Sequence, residues 1–276
     1  MTSRALVLAG GGVTGIAWEI GIARGLQEGG VDLTDADVIV GTSAGSAAGA
    51  QLRSGASIDE LYAAQLSDDS KERTAELDLA KFVQMRRLEA SDPVAQRAAI
   101  GELALSAETI PEDERREIIA ARLPSHEWPE RPLVITAVDV ATGEFVVFDR
   151  SSGVSLVDAV AASCAVPVVW PPVTIEGHRY MDGGVRSSTN ADLAVGHDVV
   201  LIVTPFPLDQ MLSGSFDDER AVLEPRSRLL TVVADDASRE AAGMNPLDAS
   251  RRAPAAGAGR AQGRASAAAI AEVWSR

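Results

Sequence analysis

Short apolar runs alternate with longer stretches of mixed polarity in the first part of this chain. Residues 4–9 (RALVLA) and 37–40 (DVIV) are short and almost continuously apolar, which predicts buried parallel strands. Residues 16–28 have a helix-like composition, and Gly29 and Gly30 end the predicted helix because glycine suits the backbone at a helix C-terminus. The chain therefore opens as a strand, a loop, a helix and a second strand.

The character of the chain changes over residues 57–130. This region is polar and predicts helices with no clear strand. One candidate helix has an apolar side formed by Leu77, Leu79, Phe82, Val83 and Leu88. Such a side either packs on the core or forms a lid or lipid-entry surface, and the pattern favours packing on the core.

Apolar strands return after this polar region. Residues 132–138 and 144–148 are separated by a turn-like segment and predict a hairpin. Residues 199–204 and 229–234 predict further strands, and residues 156–163 predict a helix between them and the hairpin.

The alternation of strands and helices predicts an α/β fold with three layers, in which helices cover both faces of a mostly parallel central sheet. We expect a single domain over residues 1–276, with 57–130 as a helical insertion and 247–276 as a C-terminal helical segment. Within that segment, residues 254–276 are rich in alanine and predict a packed or frayed helix without chemistry. Three glycines weaken this helix: Gly257, Gly259 and Gly263.

The charge of the chain excludes some classes of partner. A formal net charge of -15 over 276 residues argues against nucleic acid, which requires a basic surface. It also provides no long-range attraction to an anionic membrane, so lipid contact would need a local apolar patch. We therefore expect at most transient, peripheral contact with a membrane, and the oligomeric state stays open.

Cysteine usage and the N-terminus indicate a cellular compartment. Cys164 is the single cysteine, which excludes a disulfide framework and a cysteine-based metal cluster. The first residues lack the apolar core of a signal peptide, and no apolar run reaches the roughly 20 residues of a membrane span. We expect a soluble, reduced, cytoplasmic protein that requires neither a cofactor nor a metal.

A candidate nucleophile stands in the motif Gly41-Thr42-Ser43-Ala44-Gly45, directly after the second predicted strand. A G-x-S-x-G motif between a strand and a helix places its serine in a strained turn, with the hydroxyl exposed at the end of the sheet. The glycines are needed because side chains beside so tight a turn would collide with the neighbouring strand and helix. The helix N-terminus favours negative charge at this point. Ser43 is therefore the predicted nucleophile.

The glycine loop between the first strand and helix has two functional interpretations. Gly10, Gly12 and Gly15 match G-x-G-x-x-G, which is also the dinucleotide-binding fingerprint. That interpretation needs an acidic residue at the end of the second strand, where the serine motif stands instead. The nearby acidic residues lie before that strand or at its start: Asp32, Asp35 and Asp37.

The second interpretation joins the glycine loop to the serine. Neighbouring parallel strands end at the same edge of a sheet, so the amides of Gly10, Gly11 and Gly12 would lie beside Ser43. Successive glycine amides form an anion site, which opposite a nucleophile becomes an oxyanion hole for a tetrahedral intermediate. The Ala44 amide is a further candidate donor. A tight turn that needs glycine only for its backbone angles is the structural alternative.

Ser43 requires a proton acceptor. The histidines His126, His178 and His197 have no distinctive setting. Asp182 is the stronger candidate, because an aspartate that closes a short strand and precedes two glycines can approach another backbone closely. Burial would raise its proton affinity above the reference pKa of about 3.9, and a carboxylate has no tautomer for a third residue to fix. The structural alternative is that Asp182 only caps a turn.

Four segments together resemble the patatin-like phospholipase family. They are the glycine loop at residues 10–15, the serine motif at 41–45, the segment at 162–167 (ASCAVP) with the prolines that follow it, and Asp182-Gly183-Gly184. Their order and spacing agree with the family. The resemblance implies a patatin-like fold and an acyl hydrolase that cleaves lipid carboxylic esters through a Ser–Asp dyad without a metal ion. It also implies that Ser43 is the nucleophile, that Asp182 is the base, and that the glycine loop forms the oxyanion hole.

The chain departs from the family pattern at two positions. Thr14 stands where the family usually has Arg or Lys, so a positive charge beside the oxyanion loop is missing. Asn190 is followed by Asp192 where many members have Asn-x-Pro. The first departure supports an alternative function, a weakly active or non-catalytic lipid- or acyl-binding regulator with the same fold.

Overall fold

The structure is a computed structural model that describes residues 2–67, 72–75, 85, 88, 92–208 and 216–274. Its strands are β1 (Arg4–Leu8), β2 (Val38–Gly41), β3 (Leu133–Asp139), β4 (Phe145–Phe148), β5 (Val173–Ile175), β6 (His178–Asp182), β7 (Val199–Thr204) and β8 (Arg228–Val233). They form one eight-stranded sheet in the order β5-β6-β3-β2-β1-β7-β8, with β4 paired to β3.

The directions of the strands bring the turn that carries Ser43 and the residue Asp182 to nearly the same level of the sheet. The strands β3, β2, β1, β7 and β8 are parallel, so β1 and β2 end together with Leu8 opposite Gly41. Strand β3 continues beyond β2, since Gly41 pairs with Ile135. Strand β6 returns antiparallel along this extension and places Asp182 opposite Ala137. Asp182 therefore ends its strand just past the level of Gly41, where the serine turn begins.

Helices cover both faces of the sheet. They are α1 (Gly12–Glu28), α2 (Ala44–Leu52), α3 (Ile58–Leu66), α4 (Pro93–Ser106), α5 (Glu112–Arg122), α6 (Leu156–Ser163), α7 (Phe216–Leu223), α8 (Asp236–Ala242) and α9 (Arg252–Trp274). Alternate side chains of β1 enter different cores, because successive residues of a strand point to opposite faces. Leu6 and Leu8 join the larger core with α1, α2, α6 and α9, and Ala5 and Val7 join the core on the α7 side. The predicted three-layer α/β fold is confirmed.

Most of the predicted elements agree with the structure. The hairpin is present as β3 and β4, and the described part of residues 57–130 contains α3, α4 and α5 and no strand. The predicted apolar helix side lies outside the described residues, apart from Leu88. The single-domain organisation with a helical insertion stays a prediction. Among the described residues, no helix combines the length and apolarity that a bilayer-crossing segment needs.

Helix α1 begins at Gly12, earlier than the start at residue 16 that the sequence predicts. Its first turn uses one acceptor outside the helix, for Thr14, and the regular helix pattern for Gly15. The Thr14 amide and hydroxyl both donate to the Pro246 carbonyl, at 3.1 and 3.3 Å, and the Gly15 amide donates to Gly11 at 2.9 Å. Most of the glycine motif is therefore helical, and the loop itself is short.

The terminal helix α9 packs against α1 with the two backbones in close contact. A Cβ atom on Gly259 would lie 2.3 Å from the Trp18 carbonyl oxygen, and one on Gly263 would lie 2.5 Å from that of Ile22. In the other direction, a Cβ on Gly21 would lie 2.2 Å from the Ala256 oxygen. The expectation that glycines only weaken this helix is thus wrong for Gly259 and Gly263, because they permit the contact.

Candidate active site

Ser43 occupies the turn between β2 and α2 with φ 52 and ψ -116. A positive φ is uncommon for a residue with a side chain and indicates local strain. The flanking glycines have the predicted steric reason. A Cβ on Gly45 would lie 2.0 Å from the Leu8 carbonyl oxygen, and one on Gly41 would lie 2.6 Å from the Cα of Ser46. The motif therefore has the tight strand–turn–helix geometry that the sequence predicts, and the role of Ser43 as nucleophile stays a prediction.

The prediction that Ser43 is exposed is wrong, because the residue is only 7% exposed. Two segments enclose the turn. A Cβ on Gly10 would lie 3.5 Å from the Ser43 Cβ, so the glycine loop passes directly beside it. On the other side, the Ser43 amide donates to Ser163 Oγ at 2.9 Å, and Cys164 Sγ donates to the Ser43 carbonyl at 3.2 Å. The segment after α6 thus holds the backbone of the turn.

Asp182 is 3% exposed and ends β6 beside the serine turn. Its amide donates to the Ala165 carbonyl at 3.0 Å, and its Oδ1 accepts from the Gly184 amide at 2.7 Å. Its Oδ2 is buried and has no hydrogen-bond partner within the part of the chain that the structure describes. Gly183 permits this close approach, since a Cβ there would lie 2.2 Å from Thr136 Oγ1. Asp182 therefore presents one free, buried oxygen.

Burial raises the pKa of Asp182 to about 7. The Ser43 hydroxyl, the Gly184 amide and the charge of Arg115 each lower the pKa of this carboxyl, by less than burial raises it. The hydroxyl is thus close enough to act on Asp182, although no hydrogen bond to Oδ2 forms in this conformation. A carboxyl with a pKa near neutrality is suited to accept and return a proton.

Asn190 connects the serine turn to the segment after Asp182. Its Nδ2 donates to Thr42 Oγ1 at 3.0 Å and to the Ser187 carbonyl at 2.7 Å, and it lies 3.3 Å from the Gly183 oxygen. The residue has a left-handed backbone with φ 48, which asparagine tolerates better than most residues. Its Oδ1 accepts from Arg186, and Arg186 in turn forms an ion pair with Asp192. Asp192, the second departure, therefore has a partner of its own.

The glycine loop presents fewer free amides than the sequence predicts. The Gly10 amide donates to the Ser188 carbonyl at 2.9 Å and is therefore already engaged. Within the described part of the chain, no hydrogen bond uses the amides of Gly11, Gly12 or Ala44. These three amides belong to the starts of α1 and α2 or to the residue before α1, where the helix dipole favours negative charge. They remain the predicted oxyanion donors.

The histidines lie in other contacts. His126 Nε2 is 2.9 Å from the Ala120 carbonyl, His197 Nδ1 is 3.0 Å from that of Ala194, and His178 Nδ1 is 3.2 Å from Asp139 Oδ2. None of these contacts includes Ser43. The acidic residues before β2 are at the opposite end of that strand from the glycine loop, and Asp37 accepts from the Arg4 amide at 2.7 Å. This arrangement gives no support to dinucleotide binding.

Sequence reasoning missed Arg115, a buried arginine of α5 that is 3% exposed. Its guanidinium lies over the Trp170 ring, 3.8 Å from the centroid. Its charge and that of Asp182 act on one another, since each shifts the pKa of the other. No motif marked this residue, because it belongs to a polar helix whose charges are typical of a solvated face.

The fold and the site define an α/β protein with a serine elbow and a buried carboxylate beside it. Comparison with protein families matches residues 6–195 to the patatin-like phospholipase family. The chain belongs to this family, as the four sequence segments imply. No curated protein matches the sequence.

Two solved structures are similar to this chain at low scores. VipD from Legionella pneumophila is 14% identical with a TM-score of 0.45, and the alignment covers 97% of this chain and 67% of VipD. The type III effector protein ExoU is 18% identical with a TM-score of 0.37, covering 95% of this chain and 53% of ExoU. The chain thus spans about half the length of ExoU. These similarities are too low to bear on function, and the family assignment rests on the sequence match.

Proposed function

We propose that this protein hydrolyses carboxylic esters of lipids through a Ser43–Asp182 dyad and an acyl-enzyme intermediate. Membership of the patatin-like phospholipase family supports the class of reaction. The observation that carries the assignment of residues is the free Oδ2 of Asp182, which is buried beside a strained serine turn and has a pKa raised to about 7.

In the first half of the reaction, Ser43 Oγ attacks the ester carbonyl carbon and its proton moves to Asp182 Oδ2. The carbonyl oxygen becomes an oxyanion, for which the amides of Gly11, Gly12 and Ala44 are the available donors. When the tetrahedral intermediate collapses, the bond to the alcohol oxygen breaks. Asp182 returns its proton to that oxygen, and the acyl group stays on Ser43.

In the second half, a water molecule replaces the alcohol. Asp182 accepts a proton from this water as its oxygen attacks the acyl carbon, and the second tetrahedral intermediate collapses to release the fatty acid and restore the Ser43 hydroxyl. One carboxyl thus acts twice, as base and then as acid, in each half. A pKa of about 7 serves both steps, because the two protonation states are then close in free energy at neutral pH.

The proposal is tested with p-nitrophenyl esters of graded acyl length and with a fluorophosphonate probe. We expect Ser43→Ala to lose both turnover and labelling. Ser106→Ala, which changes an exposed serine at the end of α4, should keep both. Full turnover in Ser43→Ala would refute the assignment. Acyl-lipid binding by the wild type with neither turnover nor labelling would favour the non-catalytic regulator.

A further inference from the structure

We propose that Arg115 binds the phosphate of a glycerophospholipid or lysophospholipid whose ester reaches Ser43, and so selects anionic substrates. This inference rests on the proposed function and deepens it. Thr14 carries no positive charge, and its hydroxyl donates to the Pro246 carbonyl. Arg115 would supply the positive charge that the glycine loop lacks.

The first argument is that the Arg115 side chain forms neither an ion pair nor a hydrogen bond among the described residues, although the charges of Glu72 and Asp182 act on it. Its Nε is buried and has no hydrogen-bond partner. Burial lowers its pKa to about 9, with a smaller contribution from Arg122, so the guanidinium is still protonated at neutral pH. A buried charge that lacks a partner is costly, and an incoming anion would remove that cost.

The neighbouring arginines differ from Arg115 because the protein supplies their acceptors. Arg122, on the same helix, forms an ion pair with Glu72 in which Nη2 lies 2.8 Å from Oε2. Arg252 donates to the Ala64 carbonyl at 2.9 Å. The charge of Arg122 is thus compensated by a direct ion pair, whereas the Arg115 guanidinium lies over the Trp170 ring and forms no ion pair among the described residues. A free guanidinium fork on a flat ring is suited to bidentate binding of a phosphate.

The position of Arg115 connects it to the proposed dyad. Trp170, on which it lies, belongs to the segment between α6 and β5, and the Ala165 carbonyl of that segment accepts from the Asp182 amide. Arg122, two turns along α5, lies 3.9 Å from the Cys164 Sγ that donates to Ser43. Arg115 and Ser43 are buried to similar degrees, 3% and 7% exposed. The helix that carries Arg115 therefore lies against the segment that holds the serine turn.

The net charge of the chain makes this local charge a means of selection. At -15, the protein repels anions at long range. Discrimination in favour of an anionic substrate therefore requires a cation close to the reacting ester, where screening by solvent is weak. In this proposal Arg115 is that cation, and its charge lowers the pKa of Asp182.

The test compares two substrates that differ only in the phosphate, a monoacylglycerol and the lysophosphatidic acid with the same acyl chain. We expect Arg115→Met to lower kcat/KM for the phosphate ester by about 10- to 100-fold, the effect of losing a charged hydrogen bond. The value for the neutral ester, measured at a pH where Asp182 is ionised in both proteins, should change by less than about threefold. Arg116→Gln is the matched control, since Arg116 is the next residue of α5 but pairs at the surface with Glu112 and Asp158. It should leave the ratio of the two values unchanged.

The stability of the variant distinguishes a role of Arg115 in binding phosphate from a role in maintaining the fold. Methionine keeps the apolar stem on Trp170 and removes an unpaired buried charge, so Arg115→Met should melt at the same temperature as the wild type or higher. If Arg115→Met does not fold, Arg115→Lys keeps the charge but loses the planar fork, and it should still lower the ratio of phosphate to neutral ester. An equal loss on both substrates, or no loss on either, would overturn the proposal.

A binding measurement separates failure of this inference from failure of the proposed hydrolysis. If the wild type cleaves neither ester, the proposed function fails. Glycerol 3-phosphate then serves as the probe in a thermal-shift experiment. A rise in Tm for the wild type that is absent in Arg115→Met would support the phosphate site. Equal shifts in both proteins, or no shift in the wild type, would exclude it.

Discussion

Asn190 Nδ2 donates to Thr42 Oγ1 at 3.0 Å, and this bond joins the serine turn to the segment that follows Asp182. Thr42 Oγ1 also lies 2.9 Å from Thr136 Oγ1 of β3. The two proposed catalytic residues are thus positioned through one buried polar network, which includes neither of their side chains.

Replacement of Asn190 by aspartate should therefore misplace Ser43 relative to Asp182. Asn190→Asp keeps the size and the left-handed backbone but removes the Nδ2 donor and turns an oxygen towards the Ser187 carbonyl. We expect kcat/KM to fall by roughly 10- to 100-fold, since small errors of position are costly in catalysis. Stability should fall by about 1–3 kcal/mol. Asp192→Asn, which weakens only the ion pair with Arg186, is the control and should have a much smaller effect. Equal effects of the two variants on kcat/KM would contradict this account of the network.

Asp182→Asn should abolish turnover and stabilise the fold. In the folded chain this carboxyl has a pKa of about 7, against 3.8 in its ordinary state, so the unfolded chain releases the proton more readily. The stability of the wild type therefore falls as the pH rises from about 4 to about 7, and an amide removes this loss. We expect the Asp182→Asn variant to be more stable than the wild type by about 1–4 kcal/mol at about pH 8 and by little at about pH 4. Urea unfolding at the two pH values measures the difference, and a gain that does not grow with pH would contradict a raised pKa.

The rate of hydrolysis should depend on the ionisation of Asp182. Only the carboxylate accepts the Ser43 proton, so kcat/KM should rise with pH through an apparent pKa of about 7 and then level off. Arg115 lowers this pKa, hence Arg115→Met should move the rising limb to higher pH. A pH–rate profile on a neutral ester measures both effects without contribution from substrate charge. A limb that stays in place in Arg115→Met would show that the two charges do not interact.

The buried carboxyl of Glu19, on α1, should lower the stability of the folded chain at neutral pH. The residue is 1% exposed, and neither carboxyl oxygen forms a hydrogen bond within the described part of the chain. Burial raises its pKa well above 4.5, by more than the Ala9 backbone lowers it. The stability of the wild type thus declines as the pH rises above the ordinary pKa of a glutamate. Glu19→Gln lacks this carboxyl, so its stability relative to the wild type should increase over the same range. Glu28→Gln on the same helix is the opposite case, because Arg260 lowers the pKa of Glu28. It should lose stability near neutrality and approach the wild type in acid. If the stabilities of the two variants changed with pH in the same direction, the raised pKa of Glu19 and the lowered pKa of Glu28 could not both be right.

The contact between α1 and α9 predicts opposite effects for two glycines of one helix. Alanine stabilises an exposed helical position by up to about 1 kcal/mol relative to glycine. Gly257→Ala should show this gain, because a Cβ there meets nothing within 4 Å. Gly259→Ala should destabilise instead, since its Cβ would lie 2.3 Å from the Trp18 oxygen. Thermal unfolding of both variants measures the difference, and a gain in both would indicate that the helices can move apart freely.

The sequence predicts those parts of the structure that depend on local patterns. Short apolar runs indicate the strands, and the motifs at Ser43 and Asp182 are readable because steric demands place glycines directly beside them. The burial of Ser43 depends on Gly10 and Ser163, which belong to other segments, so no local pattern records it. The antiparallel return of β6 is likewise a property of the sheet, and it explains why Asp182 reaches the serine turn. Arg115 is missed for the same reason, because a buried arginine and a solvated one look alike in a sequence.

The family match ends at residue 195, before β7 and α9 begin. A protein shortened to the matched region would leave an edge of β1 without its parallel neighbour, since β7 pairs with β1 along its whole length. It would also uncover the side of α1 that Gly259 and Gly263 approach, at the helix whose first residues form the proposed oxyanion loop. The smallest stable unit is therefore expected to be longer than the matched region and to include Trp274, whose ring NH donates to the Asp32 carbonyl ahead of β2.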